Sequence, residues 1–223
     1  MTEDEYKRRY KIVSDDILSA TRAFYTYMEI NKFATENQQQ NYQKVNQDGH
    51  FWSGQMYSLQ LGWFIILGRI FGPSGYPLHK FLKQMTAHPE LFSKEALAQR
   101  KREDARDPNP PWLANLLEEA WEPTTNELED IARSINPATA TWKKSYKPIR
   151  DKIFAHRDLA ASITDLFGAT LVAEIEDILH DLNRVRIALD QLWLNGRRQW
   201  IGDTDRTYVD PFIGDARGLL NRL

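Results

Sequence analysis

The sequence predicts an all-α protein, a bundle of four or five helices with a small helical insert. Three observations lead to this prediction. Several long stretches carry apolar residues in alternating steps of four and three, which is the spacing of a helical seam. Segments rich in Gly, Pro or polar residues separate these stretches. No stretch alternates apolar and polar residues as a half-buried strand does, and no internal repeat of about 20 to 50 residues is present.

The composition fits one soluble domain that spans residues 1–223. Hydrophobic residues make up 42% of the 223 positions, enough for a sizeable core, and the formal net charge is −2. A charge this close to zero gives no general attraction to nucleic acid, so any RNA contact requires a local basic patch. The absence of cysteine excludes disulfides and Cys-based zinc sites.

Neither a signal peptide nor a membrane span is expected from the sequence. The N-terminus is highly charged and lacks the apolar stretch of a signal peptide. The most apolar stretch, residues 56–71, is interrupted by polar residues and is shorter than the roughly 20 residues that a span needs. We therefore expect a cytoplasmic protein.

The first long helix is predicted over residues 4–36. Apolar residues follow the 4-3 spacing from Tyr6 to Tyr27, which indicates one continuous buried face. Thr2 followed by Glu5 matches a capping box at its start. The polar run over residues 37–41 predicts a turn or a frayed end.

The second long helix is predicted over residues 51–71, and the insert follows it. Apolar residues cover most faces of this helix, which is typical of a central position in a bundle. Residues 73–110 are predicted to leave the bundle as two short helices, at residues 77–87 and 94–106. Ser93 is the expected cap of the second, whose charged residues are interpreted as a solvated face.

Three prolines divide the second half of the chain. A third bundle helix is predicted to begin near Trp112 and to kink or break at Pro123, since a proline inside a helix lacks a donor and clashes with the preceding turn. Asn136 and Pro137 fit the N-cap and first position of the next helix. Pro148 is expected to interrupt that helix.

The last long helix is predicted over residues 169–198. Its 4-3 spacing persists through three heptads, and Gly196 is expected to end it. Residues 199–223 are predicted to be a tail of loop with a short helix at residues 215–222.

One stretch, residues 146–158, combines cations with an imidazole. It reads Y-K-P-I-R-D-K-I-F-A-H-R-D, and Arg150 stands six residues before His156. On a straight α-helix these two side chains would lie about 120° apart around the axis and about 9 Å apart along it. His156 also extends the apolar stripe of Ile149 and Ile153, so the residues alone leave two interpretations open. The pair is either a catalytic site or two ordinary helix residues.

The sequence R-D-K-I-F-A-H at residues 150–156 resembles the R-x(4–6)-H motif of the HEPN superfamily in its R-[ND]-K-x-x-A-H form. The setting is similar too, because the motif falls late in an all-α chain and one more long helix follows it. Over residues 5–195 the chain looks most like the AbiU-like branch, which takes its name from abortive infection by phage. The fold class expected from this resemblance is an all-α, HEPN-like bundle.

The resemblance implies a metal-independent endoribonuclease that acts as a homodimer and needs no cofactor. His156 would be the general acid or base around the RNA 2′-hydroxyl, a role that suits an imidazole because its unperturbed pKa is about 6.5. Arg150 would hold the phosphate, and Asp151 would orient His156 or Arg150. Two copies of the motif helix packed antiparallel would place Arg150 of one subunit near His156 of the other. Base stacking and phosphate contacts are expected from Tyr146 and from Lys147, Lys152 and Arg157.

A toxin or phage-defence effector would act on RNA and be restrained by an antitoxin or another regulatory protein. Some HEPN toxins carry a Tyr two residues after the His, where a partner enzyme modifies them. This chain has Asp158 there, so a nucleotidyltransferase antitoxin is unsupported. Two other hypotheses are a non-catalytic HEPN-like module that binds RNA, a nucleotide or a protein, and a plain helical scaffold.

No metal site is expected from the sequence. Asp177 and Asp181 flank His180 on a helix, but a helix rich in acidic residues produces such neighbours by chance. The other histidines, His50, His79 and His88, have no partner at ligand spacing.

Overall fold

The computed structural model describes residues 1–36, 40–73, 77–155, 162–168, 170–198 and 205–222. No strand occurs in these ranges, and the predicted all-α class is confirmed. The helices are α1 (Glu3–Thr35), α2 (Gln40–Gln47), α3 (Gly49–Phe71), α4 (Leu78–Thr86), α5 (Lys94–Ala105), α6 (Leu113–Glu119), α7 (Thr125–Arg133), α8 (Asn136–Thr141), α9 (Lys147–Ile149), α10 (Ile163–Gly168), α11 (Val172–Asn195) and α12 (Asp210–Leu220). Two π-helical segments, Trp142–Tyr146 and Arg150–Ala155, flank α9. Short 3₁₀ turns lie at Pro89–Phe92 and Arg206–Val209.

The three longest helices, α1, α3 and α11, follow the predicted seams closely. Thr2 caps α1 by accepting a hydrogen bond from the Glu5 N–H at 3.2 Å, while the Glu5 carboxylate pairs with Arg9. Ile17 of α1, Leu67 of α3 and Leu182 of α11 are fully buried. Burying each such side chain stabilises the fold by about 1.5–3 kcal/mol. None of the helices within the described ranges is long and apolar enough to cross a membrane.

The segment predicted as an insert contributes to the main core instead of standing apart from it. Phe81, Leu82 and Met85 of α4 are buried in the same apolar cluster as α1 and α3. The ring of Phe81 lies 5.5 Å from that of Tyr6. The sequence predicts a short helix here, but only the packing shows that its apolar residues contact the bundle and do not form a separate small core.

Helix α5 starts as predicted but buries one cation. The Ser93 hydroxyl accepts a hydrogen bond from the Ala96 N–H at 3.1 Å. Residues 102–106 are exposed, in agreement with a solvated face. Arg100, by contrast, is buried: its guanidinium lies 3.9 Å from the Trp193 ring and donates to the Glu3 carboxylate at 2.9 Å. This cation ties α5 to both α1 and α11.

The chain leaves the helical path around Pro123 and again at residues 134–135, just before Pro137, whereas it stays helical through Pro148. The chain is non-helical around Pro123, and Thr124 opens α7 with a capping box to Glu127. The prediction that Asn136 is an N-cap is wrong, because Ile135 already has near-helical angles, φ −85° and ψ −6°, and Asn136 lies inside α8. An N-cap side chain needs extended backbone to reach the following N–H groups.

Residues 205–222 of the predicted C-terminal tail pack against the bundle. Helix α12 begins at Asp210, five residues before the predicted start, and it packs on α1. Arg217 donates to the Glu29 carboxylate at 2.6 Å. Leu220 is buried with Ile30 and Trp52 in a second small apolar cluster. The segment therefore closes one end of α1 and α3.

Replacing Gly196 by alanine is expected to lower the free energy of unfolding by about 2–3 kcal/mol. Gly196 ends α11, as predicted, with φ +57°, a conformation that costs L residues about 1–2 kcal/mol. An added Cβ would also lie 2.7 Å from Leu97 Cδ2 and 2.9 Å from Ala120 Cβ. Urea unfolding measures the change.

The matched control is Gly214→Ala in α12, where an added Cβ meets nothing within 4 Å. Alanine at that helical position should raise stability by about 0.5–1 kcal/mol. Equal midpoints for the two variants would contradict the account of Gly196.

Candidate active site

The segment that carries Arg150 follows a widened helical path around Pro148. The Lys147 N–H donates to the Trp142 carbonyl, five residues back, which is the π-helical pattern. Pro148 lacks an N–H and its ring crowds the carbonyl four residues earlier, so wider turns let the helix pass the proline without ending. The predicted interruption thus takes the form of π-helical widening.

Two buried side chains fix this segment against the bundle. Ile149 is fully buried in the main core. Tyr146 is 2% exposed, and its hydroxyl donates towards the Leu171 carbonyl at 2.8 Å and the Glu174 carboxylate at 2.9 Å. Burial, and then the Glu174 carboxylate, raise the pKa of Tyr146, so the hydroxyl keeps its proton as a donor. These contacts tie the segment to the start of α11.

The Arg150 side chain lies across α3 at a glycine. A Cβ added at Gly68 would stand 2.7 Å from Arg150 Nε and 3.3 Å from its Cζ, so only glycine leaves room for the guanidinium at this place. The side chain is 31% exposed, and Nη1 donates to Asp151 Oδ1 at 2.6 Å. Nε is buried without a hydrogen-bond partner. A buried, unpaired donor on a cation is costly unless a ligand satisfies it.

Asp151 is a bridge between two cations. Its second carboxylate oxygen accepts from Lys147 Nζ at 2.5 Å, while the first accepts from Arg150. Partial burial pushes the pKa of Asp151 up, but the hydrogen bonds from Lys147 and Arg150 outweigh burial and hold it below its ordinary value. Asp151 is therefore ionised at neutral pH and cannot donate a proton, whereas it can orient Arg150.

Arg150 also lines a large cleft between the C-terminal end of α3, helix α4 and the run from α7 to α9. Its volume is about 1040 Å³. We call it the basic cleft, because one carboxylate, Glu129, lines it beside a larger number of basic side chains. Together with Arg150 these are His79, Lys83, Arg133, Lys143 and Lys147.

The structure brings together only part of the predicted site. Arg150, Asp151 and Lys147 are in direct contact, and Lys152 is exposed on the same segment. His156, Arg157 and Asp158 lie outside the described residues. The base-stacking role predicted for Tyr146 needs correction, since its ring is buried beside Trp142 and Phe64 and offers no face to a base.

Sequence reasoning missed Gly68, Lys83 and Lys143. Lys143 stands only seven residues before Arg150, and a second lysine follows it, so a local basic pattern was visible. Gly68 and Lys83 are far from the motif in sequence and meet it only through the packing of α3 and α4. Neither position carries a local signal of that contact.

The described residues hold no group of three or more His, Asp or Glu side chains placed to bind a metal ion. His180 Nδ1 lies 3.3 Å from the Tyr208 hydroxyl. Its acidic neighbours are engaged elsewhere, Asp177 with Arg206 and Asp181 with Arg184.

An all-α chain with the R-D-K-I-F-A-H motif ahead of a long last bundle helix has the features of the HEPN superfamily. Comparison with known families agrees: the family model HEPN_AbiU2, described as AbiU2, matches residues 3–218. The chain belongs to this family. Searches of curated proteins and of solved structures returned no match.

Proposed function

We propose that this protein is a metal-independent endoribonuclease, active as a homodimer and serving as a toxin or phage-defence effector. The observation that carries the proposal is the position of Arg150. Its guanidinium is oriented by an ionised carboxylate, has an unpaired buried donor, and faces a basic cleft. Such an arrangement suits a phosphodiester, because a guanidinium fork matches phosphate oxygens.

The reaction needs an internal nucleophile, a group that accepts a proton and a group that donates one. The RNA 2′-oxygen attacks the adjacent phosphorus, the bond from phosphorus to the 5′-oxygen breaks, and a 2′,3′-cyclic phosphate and a 5′-hydroxyl form. His156 takes the 2′-hydroxyl proton while water protonates the leaving 5′-oxygen, or the two exchange these roles. An imidazole, whose unperturbed pKa is about 6.5, can do either at neutral pH. Arg150 stabilises the negative charge that builds up on the phosphate oxygens.

Asp151 acts on Arg150, and the lysines act on the RNA backbone. Asp151 fixes the direction of the Arg150 guanidinium through Nη1, which leaves the other donors for phosphate. Lys147 and the exposed Lys152 add contacts to phosphates that do not depend on sequence and weaken with salt.

A homodimer is part of the proposal because Arg150 and His156 are six residues apart on one chain. The surface beside the motif segment also favours a second copy of this chain. Phe51 and Tyr57 of α3 are more than half exposed, and the Tyr57 ring lies 6.3 Å from that of Phe154. Exposed aromatic side chains next to a functional segment are typical of an interface.

The second candidate function is non-catalytic binding of RNA or a nucleotide. The basic cleft favours it, since cations and an apolar wall can bind such a ligand without a proton carrier. This candidate predicts binding of RNA with no cleavage.

Mixing two impaired variants tests the composite site. Arg150→Ala and His156→Ala are each expected to cleave RNA at least about 100-fold more slowly than the wild type when tested alone. A refolded 1:1 mixture should recover about a quarter of wild-type activity, because about half of the dimers are mixed and one of their two sites keeps both residues. Cleavage should persist in EDTA and leave cyclic-phosphate ends. The control mixture pairs His156→Ala with the double variant, in which no intact site can form.

No recovery in the first mixture, with mixed dimers verified by mass, would place both residues of a site in one chain. No cleavage by the wild type, with the dimer verified in solution and RNA bound, would favour the non-catalytic candidate.

A further inference from the structure

The basic cleft carries positive charge that the protein itself does not neutralise. Arg133 pairs with Glu129 at 3.0 Å and with Asp130 at 2.6 Å, so its charge is offset. Within the described part of the chain, Lys83 and Lys143 have no carboxylate partner, and both are exposed. A concentration of cations in a chain of formal net charge −2 indicates a site for an anion.

The cations act on one another within the cleft. Partial burial, and then repulsion from Lys80 and Lys143, lower the pKa of His79. His79 therefore stays neutral at physiological pH, and a phosphate in the cleft would be met by the lysines and Arg150 while the imidazole serves as a hydrogen-bonding group.

Part of the cleft lining is apolar. Phe71 and Ala132 are partly exposed there, backed by the buried side chains of Leu78, Leu82 and Trp142. The Phe71 and Trp142 rings lie 5.8 Å apart and nearly parallel, at 24°. An inorganic phosphate would use none of this surface, whereas a nucleotide places a flat aromatic base beside its phosphate.

The cleft is continuous with the proposed catalytic cation. Arg150 is among its lining residues, and the volume of about 1040 Å³ reaches the upper end of the roughly 300–1000 Å³ typical of small-ligand pockets. That space admits a nucleotide but no duplex, in which each base is stacked and paired.

We propose that the basic cleft is a subsite for one unpaired nucleotide of the RNA, next to the phosphate that Arg150 holds. The base lies against Phe71 and Ala132, and its phosphate meets Lys83 and Lys143. The substrate class that follows is single-stranded or looped RNA. This inference rests on the proposed function for the identity of the phosphate at Arg150, while binding in the cleft is tested separately from cleavage.

The experiment measures binding with the His156→Ala protein, which should hold RNA without cutting it. Fluorescence anisotropy follows a labelled single-stranded oligoribonucleotide. Lys143→Glu should weaken binding about tenfold or more, since a phosphate contact becomes a repulsion. The matched control is Lys144→Glu, which makes the same charge change at the next exposed residue, outside the cleft lining. It should stay within about twofold.

Three competitors identify the occupant. Unlabelled single strand should compete fully, while a duplex of the same sequence and free adenosine monophosphate should each compete at least about tenfold more weakly. Equal losses in Lys143→Glu and Lys144→Glu would overturn the subsite, and so would a duplex that competes as well as the single strand. A mononucleotide that competes as well would assign the cleft to free nucleotides instead of RNA.

A larger side chain at the apolar wall tests whether the cleft binds a base or only a phosphate. Ala132→Trp fills the wall and should weaken single-strand binding about tenfold. Its unfolding midpoint is measured in parallel, and binding is compared below that midpoint, because a larger side chain beside the core can lower stability. Unchanged binding would overturn the base contact. Cleavage assays separate the subsite from the proposed nuclease. If Lys143→Glu weakens RNA binding and the wild type does not cleave, the result supports the subsite alone. If the wild type cleaves and Lys143→Glu binds RNA as tightly as its parent, the result supports the nuclease alone.

Discussion

His156→Ala is expected to lower kcat for RNA cleavage by about 10²- to 10⁴-fold, the contribution of a positioned general acid or base. The expected loss is large because the 2′-hydroxyl must lose a proton as its oxygen attacks. Arg150 cannot accept that proton, and Asp151 is a weak base because the hydrogen bonds from Lys147 and Arg150 hold its pKa low. Single-turnover cleavage of a labelled oligoribonucleotide measures kcat, and circular dichroism checks the fold.

The matched control is His50→Ala, an exposed histidine near the start of α3. It should cleave as the wild type does, which would exclude a general effect of losing an imidazole. Equal cleavage by His156→Ala and wild type would remove His156 from the mechanism.

Arg150→Ala should lower kcat by about 10²- to 10³-fold, as loss of one oriented donor to a developing oxyanion does. Arg150→Lys should recover only part of that loss, because an ammonium keeps the charge but not the planar fork. KM is measured beside kcat. If Arg150 had a purely structural role, both variants would lose stability, and the ratio of kcat for Arg150→Lys to kcat for Arg150→Ala would be near one.

The position of Arg150 can be disturbed without removing it. In Gly68→Ala the new Cβ occupies space now 2.7 Å from Arg150 Nε, so the guanidinium must move. Misplacing a catalytic group by about 1 Å can cost roughly 10- to 100-fold in rate. Gly62→Ala, on the same helix with nothing within 4 Å of the added Cβ, is the control and should retain full activity. Equal rates for the two variants would show that Arg150 placement against α3 does not matter.

Most helices could be predicted because their signals are local. The 4-3 seams of α1, α3 and α11 report which residues share a helix face, and that periodicity does not depend on the partner that covers the face. Pro123, Ser93 and Gly196 act through their own backbone or side chain, so their effects also appear where the sequence placed them.

Predictions that depended on neighbours were less successful. Tyr146 carries an aromatic ring of the kind that stacks on bases. The ring is nevertheless buried in the core, where its hydroxyl donates towards the Leu171 carbonyl and the Glu174 carboxylate at the start of α11. Arg100 belongs to a charged stretch, yet it is buried, and its guanidinium contacts the Trp193 ring and the Glu3 carboxylate. In each case the deciding partner comes from a distant part of the chain.

The sequence by itself therefore determined the all-α class, the long helices and a motif that marks the HEPN superfamily, because periodicity and short motifs are properties of contiguous residues. Only the tertiary structure decided that Arg150 rests against Gly68, that Asp151 joins two cations, and that Lys83 and Lys143 share a cleft. These contacts join residues from α3, α4 and the widened helix around Pro148. Their geometry depends on how the helices pack and on where the π turns fall, which no local pattern encodes.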